Sequence, residues 1–410
     1  MTTPLSRRRL LVIGGTATAA LAVAGLPAAA AGPGHGGGEL VAAWNRTVLR
    51  ILRTAGARPA TVHPTRSFAM VHSALHDAVV AARRSGHAAP VAAAAQAAHD
   101  VLTGLYPAFT AELDAQLATD LATVPEGPAK NSGVLLGKRA ARRVADRRAH
   151  DGSGATPPAL PPGTGPGEYR PTPPAFTPAV FTHWAAVTPF VLDRADRFRP
   201  GPYPALTRAA YAGALNEVAR LGQDASTART ADQTVQARFW AAPIWNYWNE
   251  IAQNVVVDAG SRLPDAARVF ADLNLAFADA VIAFYDAKYH YRIWRPITAV
   301  RLADTDGNPD TTGDPNWTSL AVTPADPSYP GAHSVVAQAG AEILRAEYGP
   351  CRAVAVTSEA LPGTVRHFES FQDIADEAGT SRLFAGVHTR LDHDAGRRLG
   401  SDVAHAVLRG

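Results

Sequence analysis

Apolar residues recur three and four positions apart through most of the chain. That spacing predicts helices over residues 40–55, 67–84, 90–106, 109–122 and 128–150, and again over 206–221, 230–240, 244–258 and 265–289. It predicts four more over 334–348, 365–378, 380–391 and 393–408. Pro128 falls in a first helical turn, where its missing N–H is harmless. Strand-like alternation is nearly absent and no internal repeat is visible, so the pattern predicts an all-α fold with a helical bundle core. Two stretches interrupt it. Residues 151–204 hold 13 of the 32 prolines and read as a long irregular segment wrapped over the surface, anchored by Tyr169, Phe176, Trp184 and Phe190. Residues 304–330 form a polar loop. The expected organisation is an N-terminal helical part (40–150), the Pro-rich wrapping segment (151–204) and a C-terminal bundle (205–410), with 40–410 as one compact domain.

The first residues follow a different pattern. Ser6-Arg7-Arg8-Arg9-Leu10-Leu11 precedes an apolar run to Leu26, then Pro27 and small residues to Ala31. A charged n-region, an apolar h-region and an Ala-rich cleavage zone make residues 1–31 a signal peptide, and its Ser-Arg-Arg core resembles a twin-arginine signal. The expectation is export in the folded state, with 32–39 a flexible Gly-rich mature N-terminus. The single cysteine, Cys351, permits no intramolecular disulfide and has no neighbour in sequence to activate it.

Composition narrows the function classes. At 47% hydrophobic and 18% charged, the 410 residues can bury a large core. The formal net charge of +3 comes from the leader arginines, so the remainder is balanced and unsuited to general nucleic-acid binding. Of 39 basic residues only Lys130, Lys138 and Lys288 are lysine. In so arginine-biased a chain, a retained lysine hints at a role arginine does not fill.

Lys288 opens the first of three segments that carry chemistry. It lies at a helix end, with Arg295-Pro296 seven residues on. The second segment, Pro327-Ser328-Tyr329-Pro330-Gly331-Ala332-His333-Ser334, is a tight turn opening a helix, with free backbone N–H groups beside His333. The third, Ser381-Arg382 to His388 and Asp392, places the last two four apart, as on one helix face. Together they describe a site for a tetrahedral oxyanion that becomes five-coordinate. Lys288, Arg295 and Arg382 offer forked and point-charge donors, and two histidines divide axial binding from proton handling. Taken singly, each segment has an ordinary reading: a solvated helix end, a helix-opening turn, a structural His–Asp pair.

Taken in order, the three segments resemble the signature of the acid phosphatase and vanadium haloperoxidase superfamily, which includes the type-2 phosphatidic acid phosphatases. The first and third parts match at every defined position. The second reads Pro330-Gly331-Ala332-His333, where the family usually has Pro-Ser-Gly-His. Further segments are similar to the soluble bacterial vanadium haloperoxidase branch: Thr230-Ala231-Asp232-Gln233, Phe239-Trp240, Trp248-Asn249, Asp306-Gly307-Asn308-Pro309, Pro315-Asn316-Trp317 and the helix from Met70 to Asp77. The resemblance implies vanadate bound axially by His388, with its oxygens held by Lys288, Arg295, Arg382 and the amides of Gly331 and Ala332. It implies His333 taking a proton from hydrogen peroxide, Asp392 supporting His388, and a halide oxidised to halogenate an organic acceptor. The alternative it implies is a phosphomonoesterase acting on a phosphate ester, with His388 as nucleophile and His333 protonating the leaving oxygen. A third reading is a non-catalytic descendant that binds an anion or a partner. The glycine at 331 removes a hydroxyl that would bond an equatorial oxygen. Asp326, seven residues before His333, would disfavour a halide nearby.

Other groupings point less far. His72 and His76 with Asp77 have a zinc-like spacing but show no third ligand, so core or inter-helix bonding is expected. Asp304, Asp306, Asn308, Asp310 and Asp314 resemble a calcium loop, but Pro309 and Pro315 stand where an EF-hand needs Gly and Glu. Asx-turns are expected instead. Trp240, Trp245, Trp248 and Trp294 are expected mainly in the core.

Overall fold

In the computed structural model, which describes residues 37–410, local chemistry sets most helix boundaries. The signal-peptide reading and residues 32–36 lie outside the described residues. Thirteen helices follow in order: α1 (Gly38–Arg53), α2 (Pro64–Ser85), α3 (Pro90–Leu105), α4 (Thr110–Ala122), α5 (Pro128–Arg148), α6 (Ala209–Leu221), α7 (Ala231–Phe239), α8 (Ile244–Asp258), α9 (Leu263–Tyr291), α10 (Pro296–Arg301), α11 (Ala332–Tyr348), α12 (Phe371–Phe384) and α13 (Arg390–Arg409). Proline occupies the first turn of α2, α3, α5, α9 and α10, where the lost donor is one of the helix's orphans. No described helix is long and apolar enough to cross a membrane.

Helix α9 is apolar on nearly every side, as suits a helix enclosed by others. It packs against α1, α2, α8, α11 and α13, while α3 and α5 pair beside α2. One hydrophobic core runs from Val41 on α1 to Val407 on α13. The Pro-rich segment is stitched to this body by polar bonds. Buried Asp279 on α9 accepts the backbone N–H of Phe190, Val191 and Leu192 at 2.6–2.8 Å. Arg148 donates to the carbonyls of Thr188 and Pro189 and stacks over Phe190. Tyr169 and Trp184 are buried anchors, but Phe176 is 61% exposed and anchors nothing; Phe181 packs against Trp184 and Tyr285 instead.

Two predicted helices are corrected. Residues 365–378 do not form one helix: Val365–Phe368 is strand β2, paired antiparallel with β1 (Val354–Thr357), with Val354 opposite Phe368. Both of those residues are buried, and Ser370 then caps α12 by accepting from Asp373 N. Nor do residues 380–391 form a helix of their own. Helix α12 runs through Arg382 and stops at Phe384, where Gly386 takes φ +75°. Gly386 N–H bonds Leu383 O and Val387 N–H bonds Arg382 O, a Schellman closure that needs glycine at the left-handed position. His388 therefore lies in the loop before α13, and it does not share a helix face with Asp392.

Candidate active site

Three chain reversals bring the three segments together. Lys288 sits in the last turn of α9, which ends as Arg292 enters the left-handed region at φ 50° and returns its N–H to Lys288 O. The residue before Pro296 is driven to extended backbone, which places Arg295 as the cap of α10. The loop before α11 runs alongside, with Ser328 N–H bonded to Ile293 O at 2.9 Å. Gly331 N–H bonds Asp392 O at 2.9 Å, which joins the start of α11 to the start of α13.

Asp392 is fixed by a capping box. Thr389 accepts from Asp392 N, and Asp392 Oδ2 accepts from Thr389 N at 2.7 Å. The same oxygen accepts from Ser328 Oγ at 2.7 Å and lies 3.3 Å from His388 Nδ1. Oδ1 of this fully buried carboxylate has no hydrogen-bond partner among the described residues. Burial pushes the Asp392 carboxyl up, but bonds from His388, Thr389 and Ser328 together hold it below its ordinary value.

The tautomer of His388 follows from its neighbours. Arg295 Nη1 lies 3.1 Å from His388 Nε2, and a guanidinium can only donate. Nε2 is therefore the lone-pair nitrogen, and Nδ1 carries the proton toward Asp392. Burial first, and then the charge of Arg295, pulls the imidazole down to about 3, so the ring is neutral at ordinary pH.

The cations are strongly bound already. Lys288, fully buried, donates to the carbonyls of Pro327 and Ser328 and lies 3.3 Å from Asp326 Oδ2. Arg295 donates through Nε to Asp326 O at 2.7 Å, through Nη1 to Val387 O at 2.8 Å, and through Nη2 to Asp326 Oδ1. Burial brings the Lys288 ammonium down to about 8 against the attraction of Asp326. Burial also pushes the Asp326 carboxyl up, but Lys288 and Arg295 outweigh it and hold the group below its ordinary value. Arg382 differs: among the described residues its Nη1 meets only the carbonyls of Ala237 and Trp240, at 3.3 and 3.2 Å. Burial and then Arg295 pull it down to about 10. His333 Nε2 donates to the same Trp240 carbonyl at 3.0 Å, which leaves Nδ1 as its lone-pair nitrogen. Burial and then Arg382 push the His333 ring well below its ordinary value.

The sequence-derived residues thus meet, with one reassignment. The Gly331 amide, expected to face an oxyanion, is spent on Asp392 O; the first-turn amides of α11 from Ala332 onward remain. Gly331 has φ −74°, so no special backbone keeps serine out. Ser334, near enough to replace the missing hydroxyl, bonds His393 Nδ1 at 2.9 Å. Sequence reasoning missed Ser328, the double ion pair of Asp326, and the carbonyl of Trp240. The pattern Thr389-x-x-Asp392 was a readable capping signal; a carbonyl shared across the fold leaves none.

Elsewhere, buried His72 stacks on Phe270 and bonds Asn45 at 3.2 Å. Asp306, Asn308 and Asp314 each accept the backbone N–H two residues on, as Asx-turns do. Among the described residues no group of three or more His, Cys, Asp or Glu is placed to hold a metal ion.

Comparison with known proteins agrees with this geometry. A family model described as the VCPO second helical-bundle domain matches residues 268–409, which include all three segments. The vanadium chloroperoxidase of Curvularia inaequalis is 28% identical over 237 residues, which is 42% of this chain and 38% of that protein, so the match spans well under half of the relative's length. Among solved structures, the first bacterial vanadium-dependent iodoperoxidase superposes with a TM-score of 0.76 at 25% identity, covering 92% of this chain and 97% of that one. A bacterial vanadium-dependent chloroperoxidase in its apo form gives 0.64 at 17% identity, over 87% and 96% of the two chains, and shows the shared fold. Residues 268–409 thus resemble the vanadium haloperoxidase bundle domain, and the chain shares the helical-bundle fold of these solved bacterial vanadium-dependent peroxidases.

Proposed function

We propose that the chain binds orthovanadate at His388 and uses hydrogen peroxide to oxidise a halide. The observation that carries the reading is the lone pair of His388 Nε2, set by the Arg295 contact at 3.1 Å in a neutral ring backed by Asp392. The donor set suits a tetrahedral oxyanion: Arg295 contacts His388 Nε2 at 3.1 Å, Lys288 and Arg382 are further buried cations, and α11 opens with first-turn amides unpaired among the described residues. When bound, vanadate supplies the Lewis-acidic centre at which peroxide becomes able to oxidise a halide.

The chain's own residues do the rest. Lys288, Arg295, Arg382 and the Ala332 amide would hold the oxygens, once Arg295 Nη1 gives up its bond to His388 Nε2. Asp392 and Ser328 fix the His388 ring and its tautomer. His333, neutral and tied through Nε2 to Trp240, accepts a proton at Nδ1. Metal analysis after incubation with orthovanadate, paired with a halide-dependent peroxide assay, tests the reading. One equivalent of vanadium and halide-dependent peroxide consumption support it; no retained vanadium contradicts it.

The neutral, Asp392-supported His388 nitrogen is also the form a phosphoryl nucleophile needs. Phosphate-ester hydrolysis without vanadium, inhibited by added vanadate, would favour that second reading. Export of the folded protein by the twin-arginine route belongs to the same proposal. Replacing Arg7 and Arg8 by lysine, with the protein then tracked in culture supernatant, tests it.

A further inference from the structure

Asp326 occupies an unusual place among the site's cations. Its carboxylate pairs with Lys288 at 3.3 Å and with the Arg295 guanidinium, and it is 6% exposed. Two N–H donors of Lys288 are used, by Pro327 O and Ser328 O, and the ammonium is paired with Asp326 Oδ2 at 3.3 Å. Of the five N–H donors of Arg295, four are used, by Asp326 O, Val387 O, His388 Nε2 and Asp326 Oδ1.

The carboxylate is not needed to hold either cation in place. Lys288 keeps its two carbonyl acceptors without it, and Arg295 keeps the carbonyls of Asp326 and Val387. What it contributes alone is charge and competition for donors. The cluster sets three basic side chains (Lys288, Arg295, Arg382) against two carboxylates (Asp326, Asp392), and Asp326 pairs with two of the three.

Resting on the oxyanion-binding reading above, we infer that Asp326 sets the charge class of the ligand, matching the site to a singly charged tetrahedral oxyanion and disfavouring a dianion. Orthovanadate is mostly singly charged near neutral pH, whereas phosphate monoesters, with a second pKa of about 6, are mostly dianions. The same carboxylate therefore turns the site away from phosphate esters and toward vanadate.

The test compares orthovanadate with tungstate, a tetrahedral dianion, by calorimetric titration of wild type and Asp326→Asn at neutral pH. Both ligands feel the same change in potential, so the gain in log affinity for the dianion is twice that for the monoanion: about tenfold for tungstate against about threefold for vanadate. The bond to His388 is common to both proteins and cancels in the ratio. Asp326→Ala carries the same comparison if Asp326→Asn does not fold, with melting curves checking each variant. Weaker binding of both ligands would overturn the inference, because the carboxylate would then be positioning the cations. Equal gains for the two ligands would overturn it as well, as would binding of neither ligand by either protein. The shifted ratio without halide oxidation would retain Asp326 as the charge selector and defeat only the proposed reaction.

Discussion

The N-terminal helices and the C-terminal site each bury a neutral histidine, and the two rings share one perturbation but not one environment. Burial pulls both His72, on α2, and His388 down to about 3. His72 stacks on Phe270, makes one bond to Asn45 and leaves Nδ1 without a partner among the described residues. His388 stands between Arg295 and Asp392, with Lys288 and Asp326 near enough to act on its charge. A depressed pKa thus marks burial alone. A site is marked by the directed donor and acceptor on opposite ring nitrogens, with uncompensated charge beside them.

The largest expected contrast is in ligand binding. His388→Ala should abolish vanadate binding in calorimetry, while His72→Ala should change the affinity of the folded protein by less than about twofold, since distant sites act independently. Retained binding in His388→Ala would break the comparison. Next in size, His333→Ala should keep vanadate affinity but lose about 10²–10⁴-fold in turnover, the usual worth of proton handling. Equal loss of affinity in the His333 and His388 variants would merge two roles held to be separate.

His72→Ala should instead cost stability, about 2–4 kcal/mol by denaturant unfolding, because it opens a cavity against Phe270. Protons sharpen the same contrast. An unfolded imidazole titrates near about 6.5, and these folded rings near about 3. Between those values the unfolded chain binds more protons, so stability is present above about pH 6.5 and is lost as pH falls toward 3. His72→Phe should make that decline shallower by up to one proton, about 1.4 kcal/mol per pH unit. An unchanged slope would show that His72 is protonated in the folded state.

The smallest effect is expected at Gly331. Its φ of −74° suits serine, but an added Cβ would lie 3.3 Å from Asp392 O and 3.5 Å from Ser334 Oγ, against the start of α13. Gly331→Ser should therefore change vanadate affinity by less than about threefold, under about 1 kcal/mol. A tenfold gain would show that the missing hydroxyl limits binding.

Much of this was legible in the sequence because helices repeat a local rule. The apolar spacing located α1 to α9 within a few residues, and Pro128 and Thr230 marked helix starts that the structure keeps. The signal failed where short elements depend on distant partners. Strand β2 exists because Val354 and Phe368 close a hairpin over the core, and its four residues are too few for a period to show. The break at Gly386 was hidden by helical spacing on both sides, and with it the position of His388 outside the helix. The site's titratable residues were visible as spaced motifs. Their pairings were not, because Asp326 with Lys288 and Trp240 O with Arg382 and His333 are set by tertiary contacts.

The central claim is that His388 offers Nε2 as a lone pair to an oxyanion while Nδ1–H is held by Asp392. Nitrogen-15 NMR of histidine-labelled protein, assigned with the His72→Phe and His388→Ala variants, reads this atom directly. The account predicts that His388 Nε2 is unprotonated at neutral pH, and that orthovanadate moves its resonance strongly while leaving His72 in place. A proton on His388 Nε2, or a vanadate-induced shift at another histidine with none at His388, would contradict it.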